Sequence, residues 1–160
     1  MKKSILALGL ITGILLTEVS LSAGPQAPGE QEMKEVLPEA VRFEPAESDT
    51  LYFKAYDKDN QLLGACFTVQ ARGYSGAIET LAGMYINGTI AAIKVVEQNE
   101  TPGVGGRIAE SAFAGQFMNK NNLDGVHAIT GATISSKAVI DSVKEKAAKI
   151  KVLLQQGSSL

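Results

Sequence analysis

Few residues of this chain could bind a metal ion or form a disulfide. The 160 residues include one cysteine, Cys66, one histidine, His127, and no tryptophan. One cysteine cannot pair within the chain, and one cysteine with one histidine falls short of the four ligands of a typical structural zinc site. No metal site is therefore expected, and any redox cofactor should be organic. Cys66 lies in a predicted strand, where a buried apolar role is expected.

The sequence also lacks an excess of positive charge. It has 15 Lys and Arg against 17 Asp and Glu, a formal net charge of -2, and no basic cluster with interleaved aromatic residues. Binding to a phosphate backbone depends on such a basic surface, so nucleic acid is not expected as a partner. Hydrophobic residues make up 45% and charged residues 20% of the chain, which is typical of a globular domain.

The longest hydrophobic run lies at the N-terminus. Two lysines, Lys2 and Lys3, precede an apolar run over 5–16, and Thr17-Glu18 separates it from a second run over 19–23. This pattern is typical of a segment that sends the following chain across a membrane. The two runs together approach the ~20 residues of a spanning helix, whereas the first alone has signal-peptide length. We favour a retained anchor, and cleavage remains the alternative.

Three parts are therefore predicted along the chain. Residues 1–23 form a single-pass anchor in the cytoplasmic (inner) membrane, and 24–31 form a linker that contains two prolines and two glycines. Residues 32–160 form one domain on the extracytoplasmic, or periplasmic, side. A domain of this size can bury enough apolar surface to fold alone.

Two β-hairpins are predicted in the middle of the chain. The first pairs strands over 51–56 and 62–69 around a polar turn. The second pairs strands over 82–86 and 89–96, and its Asn87-Gly88 dipeptide favours a type I′ turn.

Helices are predicted on both sides of these strands, over 33–40, over 108–117 and from 135 or 136 to about 155. The last of them carries an apolar stripe at helical spacing, formed by Ile140, Val143, Ala147, Ile150 and Leu154. Strands in the middle with helices on both sides indicate an α+β domain with a largely antiparallel sheet and flanking helices, preceded by one N-terminal transmembrane helix.

A segment rich in hydroxyl groups precedes the last helix. It consists of Thr130, Gly131, Ala132, Thr133, Ile134, Ser135 and Ser136. Its small residues allow a tight turn, and its hydroxyl and N–H groups at a helix N-terminus suit a bound phosphate. The same residues would also serve as an ordinary helix cap. Local physics alone does not decide between these roles.

This segment resembles the flavinylation motif of FMN-binding domains, as in the G subunit of the Rnf complex and the C subunit of the Na+-pumping NADH:quinone reductase. Residues 100–105 are similar to the Glu-Thr-Pro-Gly-Leu-Gly loop of that family, with Val104 in place of leucine. Residues 73–78 match its Gly-Tyr-x-Gly segment, and residues 36–40 fit as well. The resemblance therefore covers nearly the whole chain, with three motifs in the family's order.

The resemblance implies that Thr133 carries FMN through a phosphoester. In the family a separate Mg2+-dependent flavin transferase attaches it, with FAD as donor. A threonine hydroxyl is a poor nucleophile unaided, so the activating base would belong to the transferase and no catalytic residue is expected here. The further residues expected to bind the cofactor are Thr130, Gly131, Ala132, Ser135, Ser136, Glu100, Thr101, Pro102, Gly103 and Tyr74.

The resemblance also implies an electron-transfer subunit of a membrane-bound, Rnf-type ion-translocating oxidoreductase that couples ferredoxin and NAD. Its partners would be membrane, flavin and iron–sulfur subunits of that complex. A complex of the NADH:quinone reductase type, a stand-alone extracytoplasmic flavinylated carrier and a non-redox envelope adaptor without flavin remain alternatives. One departure favours the adaptor, since His127 stands where the family motif usually carries an acid.

Overall fold

Five strands and three α-helices form the part of the chain that the computed structural model describes, which is residues 27–48 and 50–157. In chain order they are α1 (Glu30–Val36), β1 (Arg42–Pro45), β2 (Phe53–Tyr56), β3 (Leu62–Arg72), β4 (Ala77–Tyr85), β5 (Ile90–Gln98), α2 (Ser111–Ala114) and α3 (Thr133–Gly157). Short 3-10 segments cover Gly105–Ala109, Gly115–Phe117 and Leu123–Gly125.

The predicted anchor over 1–23 lies outside the described residues. Within 27–48 and 50–157, none of the helices is long and apolar enough to cross a bilayer.

All five strands pair in one antiparallel sheet in which each strand neighbours the next along the chain. Helix α3 packs against β3 and β4, and α1 packs against β4 and β5. The prediction of an α+β domain with an antiparallel sheet and helices is therefore confirmed.

The residues of β4 show that the two helices cover opposite faces of the sheet. Ile78, Ala82 and Met84 belong to the core cluster that α3 helps to form, whereas Leu81 belongs to the cluster formed with α1. Side chains alternate between the two faces of a strand, so one strand supplies both cores. Cys66, on β3, lies fully buried in the α1 cluster, as predicted.

Both predicted hairpins are present, but the type I′ turn predicted for the second is wrong. Gly88 N–H donates to the Tyr85 carbonyl at 2.8 Å, Tyr85 N–H donates to the Thr89 carbonyl at 2.9 Å, and within Asn87-Gly88 only the glycine has a positive φ, of 92°. This is a three-residue loop with a left-handed glycine at its end. The side chain of Asn87 accepts the Thr89 N–H at 2.9 Å, a local bond that stabilises this turn.

Two predicted helices differ in extent. The helix expected over 33–40 ends at Val36 because Leu37, with φ −145° and ψ 74°, precedes Pro38, and a residue before proline is disfavoured in helical geometry. The single helix expected over 108–117 is wrong, since the extended backbone of Glu110, with φ −74° and ψ 147°, interrupts it. The last helix is confirmed and begins at Thr133.

Gly83 brings β4 close to α1. A Cβ atom at this position would lie 2.3 Å from the Val36 carbonyl oxygen and 2.7 Å from the Val36 carbonyl carbon. We therefore expect Gly83→Ala to lower the free energy of unfolding by about 2 kcal/mol, the usual cost of overpacking, as measured by urea denaturation. Gly115→Ala is the matched control, because nothing lies within 4 Å of the added atom. Equal stability of the two variants would contradict this close packing.

Candidate functional site

A cleft of about 440 Å³ lies at the end of the sheet where β3 ends, β4 begins and β5 ends, next to the start of α3. Small-molecule sites usually have volumes of roughly 300–1,000 Å³. Ten residues line the cleft, and they are Tyr74, Glu100, Thr101, Val104, Gly105, Gly131, Ala132, Thr133, Ile134 and Ser135. The three motifs that are separate in the sequence therefore meet at one place.

Thr133 is the first residue of α3 and is exposed to solvent. The turn before it is made by Gly131, whose φ is 85°, and by the buried Ala132. Ser136 N–H donates to the Ala132 carbonyl at 2.9 Å, so regular helical bonding begins only there. N–H groups of the turn before that bond have no acceptor within the helix, and their partial positive charge favours an anion. An exposed threonine thus lies beside N–H groups that favour the binding of a phosphate.

Two residues of the hydroxyl-rich segment are not among those that line the cleft. Ser136 is fully buried, and its Oγ accepts the Ile129 N–H at 3.0 Å, which fixes the turn before α3. Thr130 lines a separate cavity with Arg107 and Gln116. A cap and a phosphate seat therefore coexist in this segment, supplied by different residues.

The loop over 100–105 forms one side of the cleft and is joined to the first turn of α3 by the bond between Glu100 and Ser135. Val104 N–H and Gly106 N–H both donate to the Thr101 carbonyl, at 3.1 and 3.0 Å. Gly103 has a φ of 73°, which glycine adopts without steric cost. Pro102 and Gly103 are exposed at the tip of the loop and are not among the lining residues, whereas Glu100 and Thr101 are.

Glu100 is the most connected polar residue of the cleft, and its side chain is buried. Its Oε1 accepts the N–H groups of Ser75 at 2.9 Å and Gly76 at 3.1 Å. Its Oε2 accepts the Tyr74 N–H at 3.3 Å and the Ser135 Oγ–H at 2.5 Å. One carboxylate therefore joins the β3–β4 connection and the first turn of α3 to the end of β5.

These bonds keep Glu100 charged. Burial alone would raise its pKa, but the Ser135 hydroxyl and the N–H groups of Ser75, Gly76 and Tyr74 together hold the pKa of Glu100 below its ordinary value. Hydrogen bonds to the charged form of a carboxyl favour ionisation in this way. The cleft therefore contains a buried negative charge at neutral pH.

An apolar rim surrounds the cleft. Tyr74, Val104 and Ile134 are 73%, 48% and 56% exposed although they are large hydrophobic residues. Val104 and Ile134 lie in two of the family-like motifs, but neither was among the residues expected to bind the cofactor. A usable signal for Ile134 was its position between Thr133 and Ser135, in the first turn of a helix. The rim gives the cleft a surface suited to a flat aromatic ligand.

His127 and Asp124, the polar residues upstream of the segment, are not among the residues that line the cleft. The backbone of His127 is held by Gln116, whose Oε1 accepts the His127 N–H at 2.8 Å and whose Nε2 donates to the His127 carbonyl at 3.2 Å. The His127 side chain is exposed. Asp124 accepts from Lys144 Nζ at 2.5 Å on the surface.

Comparison with known proteins assigns the same region to a protein family. Residues 73–148, which span the three cleft segments, match the model of the FMN-binding domain. The chain is 31% identical over 152 residues to the G subunit of the proton-translocating ferredoxin:NAD(+) oxidoreductase complex of Clostridium ljungdahlii, covering 84% of this chain and 82% of the relative. It is 37% identical over 129 residues to the G subunit of the ion-translocating oxidoreductase complex of Methanosarcina acetivorans, covering 69% of each.

A solved structure has the same fold. The crystal structure of NqrC from Shewanella oneidensis superimposes with a TM-score of 0.53 at 16% identity, covering 72% of this chain and 73% of that one. Likeness at this identity concerns the fold, while the two G-subunit relatives carry the family assignment. The chain therefore belongs to the FMN-binding domain family, in the group that contains the G subunits of ion-translocating oxidoreductase complexes.

Proposed function

We propose that this chain is an electron-transfer subunit of an ion-translocating oxidoreductase complex and carries FMN esterified through its phosphate to Thr133. The single observation that supports this most directly is the position of Thr133. Thr133 is the first residue of α3, is exposed, and lines the cleft in which Glu100, Tyr74 and the loop over 100–105 meet.

The residues of the cleft fit this cofactor. The first turn of α3 offers N–H groups and a helix dipole to the negative charge of a phosphodiester. The cleft volume lies in the range of small-molecule sites. Tyr74, Val104 and Ile134 are exposed and offer apolar surface to a ring system. Thr133, Gly131, Ala132, Ser135, Glu100, Thr101 and Tyr74 would hold the group.

Attachment would require an external enzyme. The Thr133 oxygen would form a bond to the phosphorus of the FMN half of FAD, AMP would leave, and the hydroxyl proton would pass to a base. The two titratable side chains upstream of the segment, Asp124 and His127, do not line the cleft, so we assign that base to a flavin transferase. Once bound, FMN supplies reversible uptake and release of electrons, and this chain supplies its binding and orientation.

The names of the relatives support membership of a complex. Two of them are G subunits of ion-translocating complexes, and one of those complexes is a ferredoxin:NAD(+) oxidoreductase. We therefore propose that membrane, flavin or iron–sulfur subunits exchange electrons with this chain. We also propose that residues 1–23 anchor it in the cytoplasmic membrane with the domain on the extracytoplasmic side.

Co-expression with a flavin transferase tests the function. We expect the intact mass of the full chain to rise by one FMN less one water, and its flavin absorbance to bleach with dithionite and return in air. An unchanged mass would contradict the proposal and favour the non-redox adaptor, to which the His127 substitution points. A flavinylated product that lacks its first residues and leaves the membrane would instead favour the stand-alone carrier.

A further inference from the structure

The carboxylate of Glu100 is enclosed by backbone and by neutral donors. A Cβ atom at Gly73 would lie 2.5 Å from Glu100 Oε1, and one at Gly105 would lie 2.5 Å from Glu100 Oε2. Only glycine allows the chain to approach the carboxylate so closely on both sides. The N–H groups of three consecutive residues, 74–76, all point to it, which is the geometry of a backbone anion site. The backbone around position 100 is thus arranged to accommodate and bind a carboxylate.

Within residues 27–48 and 50–157, Glu100 takes part in no ion pair. Burial raises the pKa of Glu100, and the groups that lower it are the Ser135 hydroxyl and the three N–H groups of residues 74–76, all of which are neutral. A charge that is held by dipoles and partly shielded from water acts on its surroundings more strongly than an exposed, paired one.

We propose that Glu100 has two roles. It positions the segments of the cleft through its hydrogen bonds, and its charge lowers the reduction potential of the flavin carried by Thr133. This inference rests on the proposed function. Glu100 and Thr133 line the same cleft, and Ser135, two residues beyond Thr133, donates directly to the Glu100 carboxylate. Reduction adds electrons to the flavin, so a fixed negative charge in the cleft disfavours the reduced form.

The decisive test is the midpoint potential of the flavinylated Glu100→Gln variant. Glutamine keeps the shape of the side chain and one oxygen acceptor, but it removes the charge. In a titration with dithionite, which is oxidised to sulfite as the flavin takes up electrons and solvent protons, we expect a more positive midpoint at pH 7 than in the wild type. Glu97→Gln is the matched control, since Glu97 is an exposed carboxylate on β5 and does not line the cleft. Its midpoint should equal that of the wild type.

Midpoint potentials measured over a range of pH distinguish the effect of the Glu100 charge from that of a general loss of structure. The folded pKa of Glu100 is depressed, so the carboxylate protonates only when the pH falls below its ordinary range, and the wild-type midpoint should then approach that of Glu100→Gln. Ser135→Ala removes one of the donors that depress the pKa. In Ser135→Ala the pKa of Glu100 should be less depressed. The midpoint potential of this variant should therefore begin to approach that of Glu100→Gln at a higher pH than in the wild type. The test remains open to contradiction even if Glu100→Gln folds poorly, because Ser135→Ala keeps the carboxylate.

The outcomes distinguish this inference from the function on which it rests. A wild-type chain without flavin after co-expression would overturn both. A flavinylated wild type whose midpoint is unchanged in Glu100→Gln, or whose acid dependence is unchanged in Ser135→Ala, would overturn only the role of Glu100. An equal shift in Glu97→Gln would also overturn it, because the effect would then reflect net charge and not the buried position.

Discussion

Thr133→Val is expected to remove covalent FMN completely from protein that is co-expressed with a flavin transferase. Valine keeps the branched shape of threonine but has no hydroxyl oxygen, so no phosphoester can form. Thr133 is exposed at the helix start, and substitutions of exposed residues usually change stability by no more than about 0.5 kcal/mol. Loss of flavin would therefore not reflect unfolding. Intact mass and flavin absorbance of the purified protein measure the result.

Thr130→Val provides the matched control. It makes the same chemical change three residues earlier, at an exposed threonine that lines the cavity with Arg107 and Gln116. The control should carry as much FMN as the wild type, and Thr133→Ser should retain some of it because the hydroxyl remains. If Thr130→Val lost the flavin and Thr133→Val kept it, FMN would be attached to Thr130 and not to Thr133.

Glu100→Ala should markedly lower the free energy of unfolding. It removes the acceptor of three N–H groups and of the Ser135 hydroxyl, and an unsatisfied buried donor costs about 1–3 kcal/mol. Part of the β3–β4 connection is exposed, so water can satisfy some of these donors and the full cost of four unsatisfied groups is not reached. We expect the free energy of unfolding to fall by about 3 kcal/mol, as measured by urea denaturation at pH 7. Glu97→Ala, as the exposed control, should stay within about 0.5 kcal/mol of the wild type.

The stabilisation by Glu100 should depend on pH in a defined direction. Its pKa is lower in the folded than in the unfolded chain, so its contribution is fully present above its ordinary value of 4.5. It is then lost as the pH falls through the folded pKa, because the unfolded state binds more protons in that range. The difference between wild type and Glu100→Ala should therefore narrow below about 4.5. A difference that grew on acidification would contradict an ionised Glu100.

Local patterns were sufficient to predict most of the fold. Alternating apolar residues and turn dipeptides predicted both hairpins, and the apolar stripe predicted α3. The errors arose where one backbone torsion decided the outcome. Extended geometry at Glu110 broke a predicted helix, and a side-chain bond from Asn87 selected a different turn. Such torsions depend on tertiary contacts and local bonds that residue propensity does not contain.

The site could be predicted in part because its three segments each carry a motif. Their convergence on one cleft, and the separate placement of Thr130 and Ser136, required the fold. The connecting role of Glu100 was not predictable from the sequence, since its donors come from residues 74–76 and 135, far from it along the chain. Val104 and Ile134 lie within these motifs, but their place in the rim of the cleft became apparent only from their exposure in the fold.

Attachment of FMN to Thr133 is tested most directly by tandem mass spectrometry of the tryptic peptide over 121–137. The peptide is taken from the wild-type chain co-expressed with a flavin transferase. This peptide contains Thr130, Thr133, Ser135 and Ser136, so fragmentation distinguishes every candidate hydroxyl in the segment. We predict a mass increase of one FMN less one water, located on Thr133. An unmodified peptide, or FMN on another of these hydroxyl groups, would contradict the account.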